Sequence, residues 1–407
     1  MWDLVTYLAG AGPVPWFYAA VGAVVAAALA LGFASAFAGL ASYVERRIAA
    51  RMMSRVGPNR VGPQGLFQFM ADGLKLITKE DLIPVGSDSM LFRVAPYLVF
   101  AGMLGTFAAL PFSARLIAAD LNVGILYILA ITTLVVVGII LGGWSSNSKW
   151  AVFGGLRSAA QIVSYEIPVG LAILCVVLLS GSLSTQSIIA AQGGMPWNWF
   201  VFHSPFAFIA FFIYCTGALA EGNRTPFDLP EAESELVAGY CTEYSGFRFV
   251  VFFFAEWANL WIMSAVAAVC FLGGWRIPCV SVAETAAHWY WVLAGAAIFA
   301  AKTLALVFFV IQVRWTLPRL RMDQMMTLCW KYLIPMAFIS ILGTMTWMLL
   351  LGWNSTLGRL GRLGMLAVGL LVLAHYLRRA VAAYRADSAN YKRMTGQSLW
   401  YPPYRLP

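Results

Sequence analysis

The stretch GILYILAITTLVVVGIILGG, residues 124–143, determines the environment in which this chain folds. It contains no charged side chain and is about 20 residues long, which is the length a helix needs to cross the hydrocarbon core of a bilayer. A segment that crosses lipid must satisfy its own backbone hydrogen bonds, and the stretch lacks the alternation of a barrel strand. It therefore predicts a transmembrane helix.

The same signature recurs along the chain. Of its 407 residues, 61% are hydrophobic and 11% are charged, whereas a soluble domain carries about a quarter charged residues. We expect an all-α, polytopic integral membrane protein with about nine transmembrane helices, an interfacial amphipathic helix and long cytoplasmic loops. The predicted spans are 17–44, 91–113, 124–143, 162–181, 204–221, 248–272, 291–313, 333–351 and 363–380.

Cysteine and histidine are too dispersed to predict a metal centre. The six cysteines include no pair at CxxC spacing, and the three histidines are far apart. Iron–sulfur clusters and structural zinc need several ligands that converge on one site. We expect buried or lipid-facing cysteines and no redox cofactor bound by this chain.

Positive charge is unequally divided between the two faces that nine spans create. Most of the 27 Lys and Arg lie in the loops 45–90, 144–161, 222–247 and 314–332 or in the tail from Arg378. By the positive-inside rule this face is cytoplasmic, or its organellar equivalent, and the N-terminus lies on the outside. The net charge of +9 follows from this asymmetry, so nucleic acid need not be invoked as a partner.

The first long cytoplasmic loop combines a turn with an amphipathic segment. GPNRVGPQG, residues 57–65, mixes rigid proline with permissive glycine, as a fixed turn beside a ligand or partner would. Apolar residues then recur near helical spacing, which predicts a helix at the membrane interface. We expect these loops to dock a partner protein. The alternatives are that the arginines of this loop bind lipid head groups, or that the helix lies on the surface without a ligand. The apolar residues are Leu66, Phe67, Phe69, Met70, Leu74 and Ile77.

The second long loop, EGNRTPFDLPEAESELVAGYCTEYSGF at 221–247, is acidic. Asp228 and Glu231 form a capping-box pattern, and a short helix from about 229 would place both on one face with Glu235. Carboxylates crowded at a low-dielectric boundary raise one another's pKa, so some should hold protons near neutral pH. A solvated acidic loop is the alternative. The six acids are Glu221, Asp228, Glu231, Glu233, Glu235 and Glu243.

Ionisable residues also fall within the predicted spans or at their ends. They are Glu166, Glu221, Glu256 and Lys302. Charge in lipid is costly enough that such residues are functional candidates. A row of glutamates with a lysine suits proton relay, and a structural pair between Lys302 and Glu256 is the alternative.

Four segments resemble the family of H subunits of NADH-quinone oxidoreductase (respiratory complex I), whose mitochondrial counterpart is NADH dehydrogenase subunit 1. They are RVGPNRVGPQGLFQFMADGLKLITKE (55–80, after ERR at 45–47), SNSKWAVFGGLRSAAQIVSYE (146–166), EGNRTPFDLPEAESELVAGYCTEYSG (221–246) and VRWTLPRLRMDQMMTLCWKYLIP (313–335). The resemblance defines a membrane domain, 1–351, and a C-terminal extension, 352–407, beyond the family's eight-helix body. Gly222 stands where the family commonly has threonine.

The resemblance implies a function for the chain within a larger enzyme. Members of the family form the quinone chamber with two peripheral-arm subunits and couple quinone reduction to proton translocation toward small and antiporter-like membrane subunits. Quinone is the substrate, while FMN and iron–sulfur clusters are expected on partner subunits. A bacterial inner-membrane location follows, in contact with membrane lipid. The type of quinone and the electron donor are not encoded in this chain.

Motif positions carry the family's roles onto individual residues. The resemblance implies quinone-chamber roles for Glu45, Arg46, Arg55, Asp72, Arg224, Phe227, Arg314 and Arg319. It implies a proton path through Glu166, Glu221, Asp228, Glu231, Glu233, Glu235, Glu243 and Glu256, to which Lys302 is added by its position within a span.

Two other classes of protein carry acids within membrane spans. A stand-alone ion transporter would show broken helices at matching points of two repeats, and no internal repeat is evident. A membrane subunit of a hydrogenase, or of a complex fed by ferredoxin or another donor, shares the ancestry. The intact PFDLPEAESELVAGY segment (226–240) favours the quinone branch.

Overall fold

The computed structural model describes residues 16–230, 232–351 and 356–395, and these fold into helices joined by loops and turns. A π-helical turn, Leu328–Leu333, joins α12 to α13. The helices are α1 Trp16–Met52, α2 Gln68–Thr78, α3 Ser89–Thr106, α4 Gly124–Ser145, α5 Lys149–Ser180, α6 Thr185–Ala191, α7 Pro205–Glu221, α8 Glu233–Leu236, α9 Gly246–Phe271, α10 Val282–Ala287, α11 Trp289–Thr316, α12 Met322–Thr327, α13 Ile334–Leu351 and α14 Thr356–Thr395.

The described residues contain eight helical segments that are long and apolar enough to cross a membrane. The predicted span 204–221 corresponds to α7, which is apolar but has only 17 residues. That length lies at the lower limit for a spanning helix. The prediction of an all-α, multi-pass membrane protein is confirmed.

Several helices extend beyond the predicted spans. The first predicted span stops at residue 44, whereas α1 continues to Met52 and carries Arg46 and Arg47 on its last turns. The fourth begins thirteen residues before its predicted start, at Lys149. Hydropathy detects only the apolar part of a helix, whereas the helix itself can continue into the polar head-group layer. Much of the predicted loop 144–161 is therefore helix.

Side-chain caps fix the starts of two of the long helices, α3 and α7. Ser204 accepts a hydrogen bond of 3.0 Å from the Ala207 amide, and Pro205 occupies the first position of α7. Asp88 caps α3 by accepting from the Met90 amide at 3.1 Å. These contacts satisfy amide groups that a helix start leaves unpaired.

Small residues let the spans approach closely. A Cβ atom on Gly138 of α4 would lie 2.9 Å from the Val99 amide nitrogen of α3. One on Gly143 would lie 2.7 Å from the Ala151 carbonyl oxygen of α5. Close backbone approach at small residues is how helices associate in lipid, where the hydrophobic effect between helices is weak. Helix α4 thus packs between α3 and α5, and α5 in turn packs on α7 and α13.

The predicted interfacial helix is α2. Met70, Leu74 and Ile77 lie on one side of α2 and are all exposed, so none of the residues that the structure describes covers this apolar face. The ring of Phe69 occupies the space beside Gly39 of α1, where a Cβ atom would lie 2.5 Å from it. The helix is therefore anchored to the first span and presents its apolar face outward.

Candidate functional site

An ion pair with a buried carboxylate joins the C-terminal ends of α1 and α11. Glu45, 6% exposed, accepts from Arg314 with 2.8 Å between Oε1 and Nη1. Its second oxygen, Oε2, is buried and has no hydrogen-bond partner among the described residues. Removing one partner from a buried pair leaves an uncompensated charge, which is strongly destabilising. The structure therefore holds these two predicted chamber residues together.

A second ion pair ties α2 to α1. Asp72 accepts from Arg46 Nη1 at 2.5 Å and from Gln68 Nε2 at 3.2 Å. Arg47 donates to the carbonyl oxygen of Gln64 at 2.6 Å, which fixes the glycine-rich turn against the same helix. The predicted chamber residue Arg55 is exposed in the segment that follows α1.

A buried arginine lies near the start of the acidic loop. Arg224 is 4% exposed, and its guanidinium carbon lies 4.6 Å from the centre of the Trp257 ring. Its amide donates to the Leu219 carbonyl at 3.1 Å. The turn after α7 therefore forms a backbone hydrogen bond across Gly222, although the family commonly has threonine there. Phe227 is buried with its ring centre 5.2 Å from that of Tyr165. Arg224 and Phe227 therefore anchor the loop on α9 and α5.

Asp228 lies at the junction of two loops. Its Oδ2 accepts from Arg319 Nη2 at 3.3 Å, and the Leu320 amide donates to the Pro226 carbonyl at 3.1 Å. Oδ1 is buried and has no hydrogen-bond partner among the described residues. Burial raises the pKa of this carboxyl, while the guanidinium groups of Arg319 and Arg314 oppose the rise. Opposing influences of this kind suit a group that must both hold and release a proton.

Glu235 belongs to a different contact. Its carboxylate accepts from Arg157 of α5 at 2.5 Å, and the pair is partly exposed. Nearby, Gly154 of α5 packs so closely on the acidic loop that a Cβ atom would lie 2.6 Å from the Tyr240 amide nitrogen. The acidic loop is thus clamped to α5 by packing as well as by charge.

The predicted helix from about residue 229 is wrong in extent. The observed α8 comprises only Glu233–Leu236, and no side chain caps its start. Asp228 is bound to Arg319 and not to the helix amides, so the predicted shared face with Glu235 does not form. Glu231 and the side chain of Glu233 lie outside the described residues.

The carboxylates of the spans form two groups. Glu221, 9% exposed, ends α7 and lies within electrostatic reach of Glu166. Glu256 accepts from the Tyr240 hydroxyl at 3.1 Å and influences Asp228 electrostatically. The remaining acid of the loop, Glu243, is partly buried.

Lys302 lies apart from these acids. Its ammonium nitrogen donates to the carbonyls of Leu272 at 2.7 Å and Gly274 at 2.9 Å, beyond the end of α9. It also lies 4.6 Å from the centre of the Trp199 ring. Glu256 is sixteen residues before Leu272, roughly 24 Å along the helix. Lys302 and Glu256 therefore have different partners and do not form the structural pair considered from the sequence.

Three residues that the sequence analysis did not select complete the site. Arg157 binds Glu235, Tyr240 donates to Glu256, and Trp257 covers Arg224. Arg157 and Tyr240 fall inside two of the four resembling segments. Their partners belong to other elements of the fold, so spacing alone gave no signal. Within the described residues, no three His, Cys, Asp or Glu side chains cluster as metal ligands would.

Comparison with known proteins identifies the family. The family model described as NADH dehydrogenase matches residues 24–345. The H subunit of NADH-quinone oxidoreductase from Anaeromyxobacter dehalogenans is 55% identical over 337 residues, 80% of this chain and 82% of the relative. The proteins of the same name from Chlorobium luteolum and Chlorobaculum tepidum are each 46% identical, over 81% and 82% of this chain and 90% and 94% of the relatives. The chain therefore belongs to the NADH dehydrogenase family, among the H subunits of NADH-quinone oxidoreductase, and is a membrane subunit of complex I.

Proposed function

We propose that this chain forms the quinone chamber with two peripheral-arm subunits and couples quinone reduction to proton translocation through its inner carboxylates. One observation carries the proposal. Asp228 is a largely buried carboxylate held by Arg319, which follows the Glu45-bound Arg314 along the same segment of the chain. A change in the protonation of Asp228 alters the contact between the acidic loop and the segment that borders the chamber.

The residues proposed to line the quinone chamber suit an amphipathic substrate. The exposed apolar face of α2 offers a surface for a long apolar tail, and Arg46 beside it supplies hydrogen-bond donors for a carbonyl head group. The neighbouring Glu45–Arg314 pair supplies a buried carboxylate. In this proposal electrons arrive from FMN and iron–sulfur clusters on partner subunits. Quinone then takes up two electrons and two protons to become quinol.

The proposed proton path uses two groups of carboxylates. Asp228, Glu256 and Tyr240 form the group next to the chamber, and Glu221 with Glu166 forms the group within the spans. Each group places a carboxyl near a partner that can accept or donate a proton. Protons leave toward the small and antiporter-like membrane subunits. The proposed path also contains Glu231, Glu233, Glu235 and Glu243, and Lys302 is omitted because its contacts lie beyond the opposite end of α9.

The chain is a multi-pass membrane protein, and we propose the bacterial inner membrane as its location. The arginine-rich ends of α1 and α11 would face the cytoplasm, with the N-terminus in the periplasm. In that orientation the acidic loop and α2 lie on the side where a soluble arm could dock. The outward apolar face of α2 would rest in membrane lipid.

Removing the carboxylates one at a time in the intact enzyme tests the proposal. Asp228→Asn, Glu231→Gln and Glu235→Gln should each reduce quinone reduction or the protons translocated per quinone by about tenfold or more. Oxidation of NADH by ferricyanide, which does not need quinone, should stay normal and report assembly. Asp120→Asn changes an exposed acid outside the site and serves as the matched control. Wild-type rates and coupling in all three variants would exclude the acidic loop from the mechanism.

A further inference from the structure

Helix α5 runs past both groups of carboxylates. Near its start, Gly154 packs on Tyr240, the residue that donates a hydrogen bond to Glu256. Twelve residues later, Glu166 lies within electrostatic reach of Glu221. These two points are roughly 18 Å apart along the helix, whereas a proton passes between groups only over hydrogen-bond distances or through water. A path through both groups therefore needs a polar connection along the intervening part of α5.

A buried glutamine lies in this part of α5. Gln161 is fully buried, and its Nε2 donates to the Ala220 carbonyl at 2.7 Å and to Asn223 Oδ1 at 3.1 Å. Because a backbone carbonyl can only accept, the amide nitrogen must face Ala220 and the amide oxygen must point elsewhere. That oxygen, Oε1, is buried, and none of the described residues donates to it.

A second polar atom without a partner lies one turn earlier. Ser158 is fully buried, and its Oγ forms no hydrogen bond within the part of the chain that the structure describes. Other hydroxyl groups in these helices bond back to the preceding turn, as Ser340 does to the Met336 carbonyl at 2.8 Å. Buried polar atoms are rarely left unpaired. Ser158 and Gln161 are three residues apart and share one side of α5, so a single ligand can serve both atoms.

These two atoms lie between the levels of the two carboxylate groups. Ser158 is four residues beyond Gly154, so it lies on the side of α5 that faces Tyr240. Gln161 holds the carbonyl of the residue that precedes Glu221. The path along α5 therefore runs from Tyr240 past Ser158 and Gln161 to Glu221.

Helix α9 shows that the remaining gap is short. Glu256 and Asn259 are three residues apart on α9 and therefore lie on the same side of it. Asn259 Nδ2 donates to the backbone carbonyl of Glu221 at 3.4 Å. Side chains one turn apart are separated by about 5–6 Å between Cβ atoms. One water molecule spans such a gap with two hydrogen bonds of about 2.8 Å each.

We propose that Ser158 Oγ and Gln161 Oε1 bind a water molecule that passes protons between the two carboxylate groups. The inference rests on the proposed function, since it assumes that these carboxylates handle protons. A buried water makes about three hydrogen bonds to polar atoms that otherwise lack a partner. Here the amide oxygen accepts from it, while the serine hydroxyl can donate or accept.

The water is unchanged by the transfer. A carboxyl of one group gives its proton to the water, which gives another proton to a carboxylate of the other group. Ser158 and Gln161 are positioning residues, because they hold the water and neither gains nor loses a proton.

Ser158→Ala in the intact enzyme tests the water site. The hydroxyl has no hydrogen-bond partner among the described residues, so a purely structural role predicts normal assembly and normal turnover. We expect normal oxidation of NADH by ferricyanide but quinone reduction that is slower by roughly three- to tenfold. Ser340→Ala is the matched control, because it removes an equally buried hydroxyl that bonds to its own helix. It should turn over at the wild-type rate. Gln161→Met removes the second atom and should slow the same step.

Two further measurements separate positioning from packing. The ratio of turnover in H2O to turnover in D2O should rise in Ser158→Ala, because proton transfer through the weakened connection limits the rate, whereas a packing defect leaves the ratio unchanged. An experimental structure of the intact enzyme should show a water about 2.5–3.0 Å from both atoms.

The outcomes distinguish this inference from the proposed function. Wild-type turnover and an unchanged isotope ratio in Ser158→Ala would overturn the water site, as would a protein side chain bound to both atoms. If Asp228→Asn is impaired while Ser158→Ala is normal, the water site fails and the acidic path stands. If the substitutions at Asp228, Glu231 and Glu235 are all normal as well, the proposed function itself fails.

Discussion

Substituting Arg319, the ion-pair partner of Asp228, should shift the pH profile of quinone reduction to higher pH. The two side chains are 3.3 Å apart, and their exposed fractions are 31% and 17%. Coulomb's law with an effective dielectric constant of about 20 gives an upper bound of roughly 5 kcal/mol at that distance. Solvent screening of the exposed guanidinium reduces this to about 1.5–3 kcal/mol, or about one to two pH units.

The sign follows from the two opposing influences on Asp228. Burial already raises its pKa, and Arg319 is the strongest group that lowers it. Arg319→Met removes that opposition, so the pKa rises further and the carboxyl holds its proton at higher pH. If turnover needs the ionised form, activity on the acidic side of the profile is lost at higher pH than in the wild type. The acidic limb should therefore move upward by about one to two pH units.

Steady-state quinone reduction in inverted membrane vesicles measures this shift. Profiles are compared for wild type, Arg319→Met and Arg319→Lys, with ferricyanide reduction as the measure of intact enzyme. Arg319→Lys keeps the charge and should restore most of the acidic limb. Superimposable acidic limbs for wild type and Arg319→Met would refute the role given to this pair.

Three further changes test other parts of the site. Gly154→Ala places a Cβ atom 2.6 Å from the Tyr240 amide nitrogen and should destabilise the contact between α5 and the acidic loop by about 1–3 kcal/mol. Faster proteolysis of the loop would report this loss. Gly170→Ala adds a Cβ atom in open space and should be neutral. Tyr240→Phe removes the donor to Glu256, costs about 1 kcal/mol and should lower the protons translocated per quinone; an unchanged ratio contradicts the proposed path. Arg46→Gln breaks a partly exposed ion pair, so thermal stability should fall by under about 1 kcal/mol while KM for quinone rises; an unchanged KM argues against a chamber role.

Local patterns predicted the spans and the interfacial helix well. The apolar spacing from Leu66 to Ile77 is a property of neighbouring residues, and α2 forms where that spacing is found. Its register is also visible in the sequence, because Met70, Leu74 and Ile77 recur at helical intervals. These features depend on contacts within one or two turns and could be predicted without knowledge of the rest of the fold.

The acidic loop shows where local patterns fail. Its capping-box pattern predicted a helix from about 229, but Asp228 binds Arg319, which is 91 residues away along the chain. Glu235 likewise binds Arg157, 78 residues away. A strong charge partner from a distant segment competes with the weaker local cap, and spacing carries no information about it. The sequence identified Asp228 and Glu235 as acids of one segment, but it did not predict the partners that they bind.

Lys302 illustrates a different limit. The sequence identifies a charge within a span but not the depth at which its long side chain ends. The carbonyl groups that accept hydrogen bonds from its ammonium belong to residues 28 and 30 positions earlier in the chain. Its neighbours, and hence its separation from the glutamates, became visible only once α9 and α11 were packed together.

The site depends on quinone being reduced against the segments that hold Glu45, Asp228 and Arg314. A structure of the intact enzyme with quinone bound measures this directly. We expect the head group to lie where the inner ends of α1 and α11 meet, within one or two side-chain lengths of the Glu45–Arg314 pair. A head group bound entirely on other subunits, with Asp228 open to bulk water, would contradict the account.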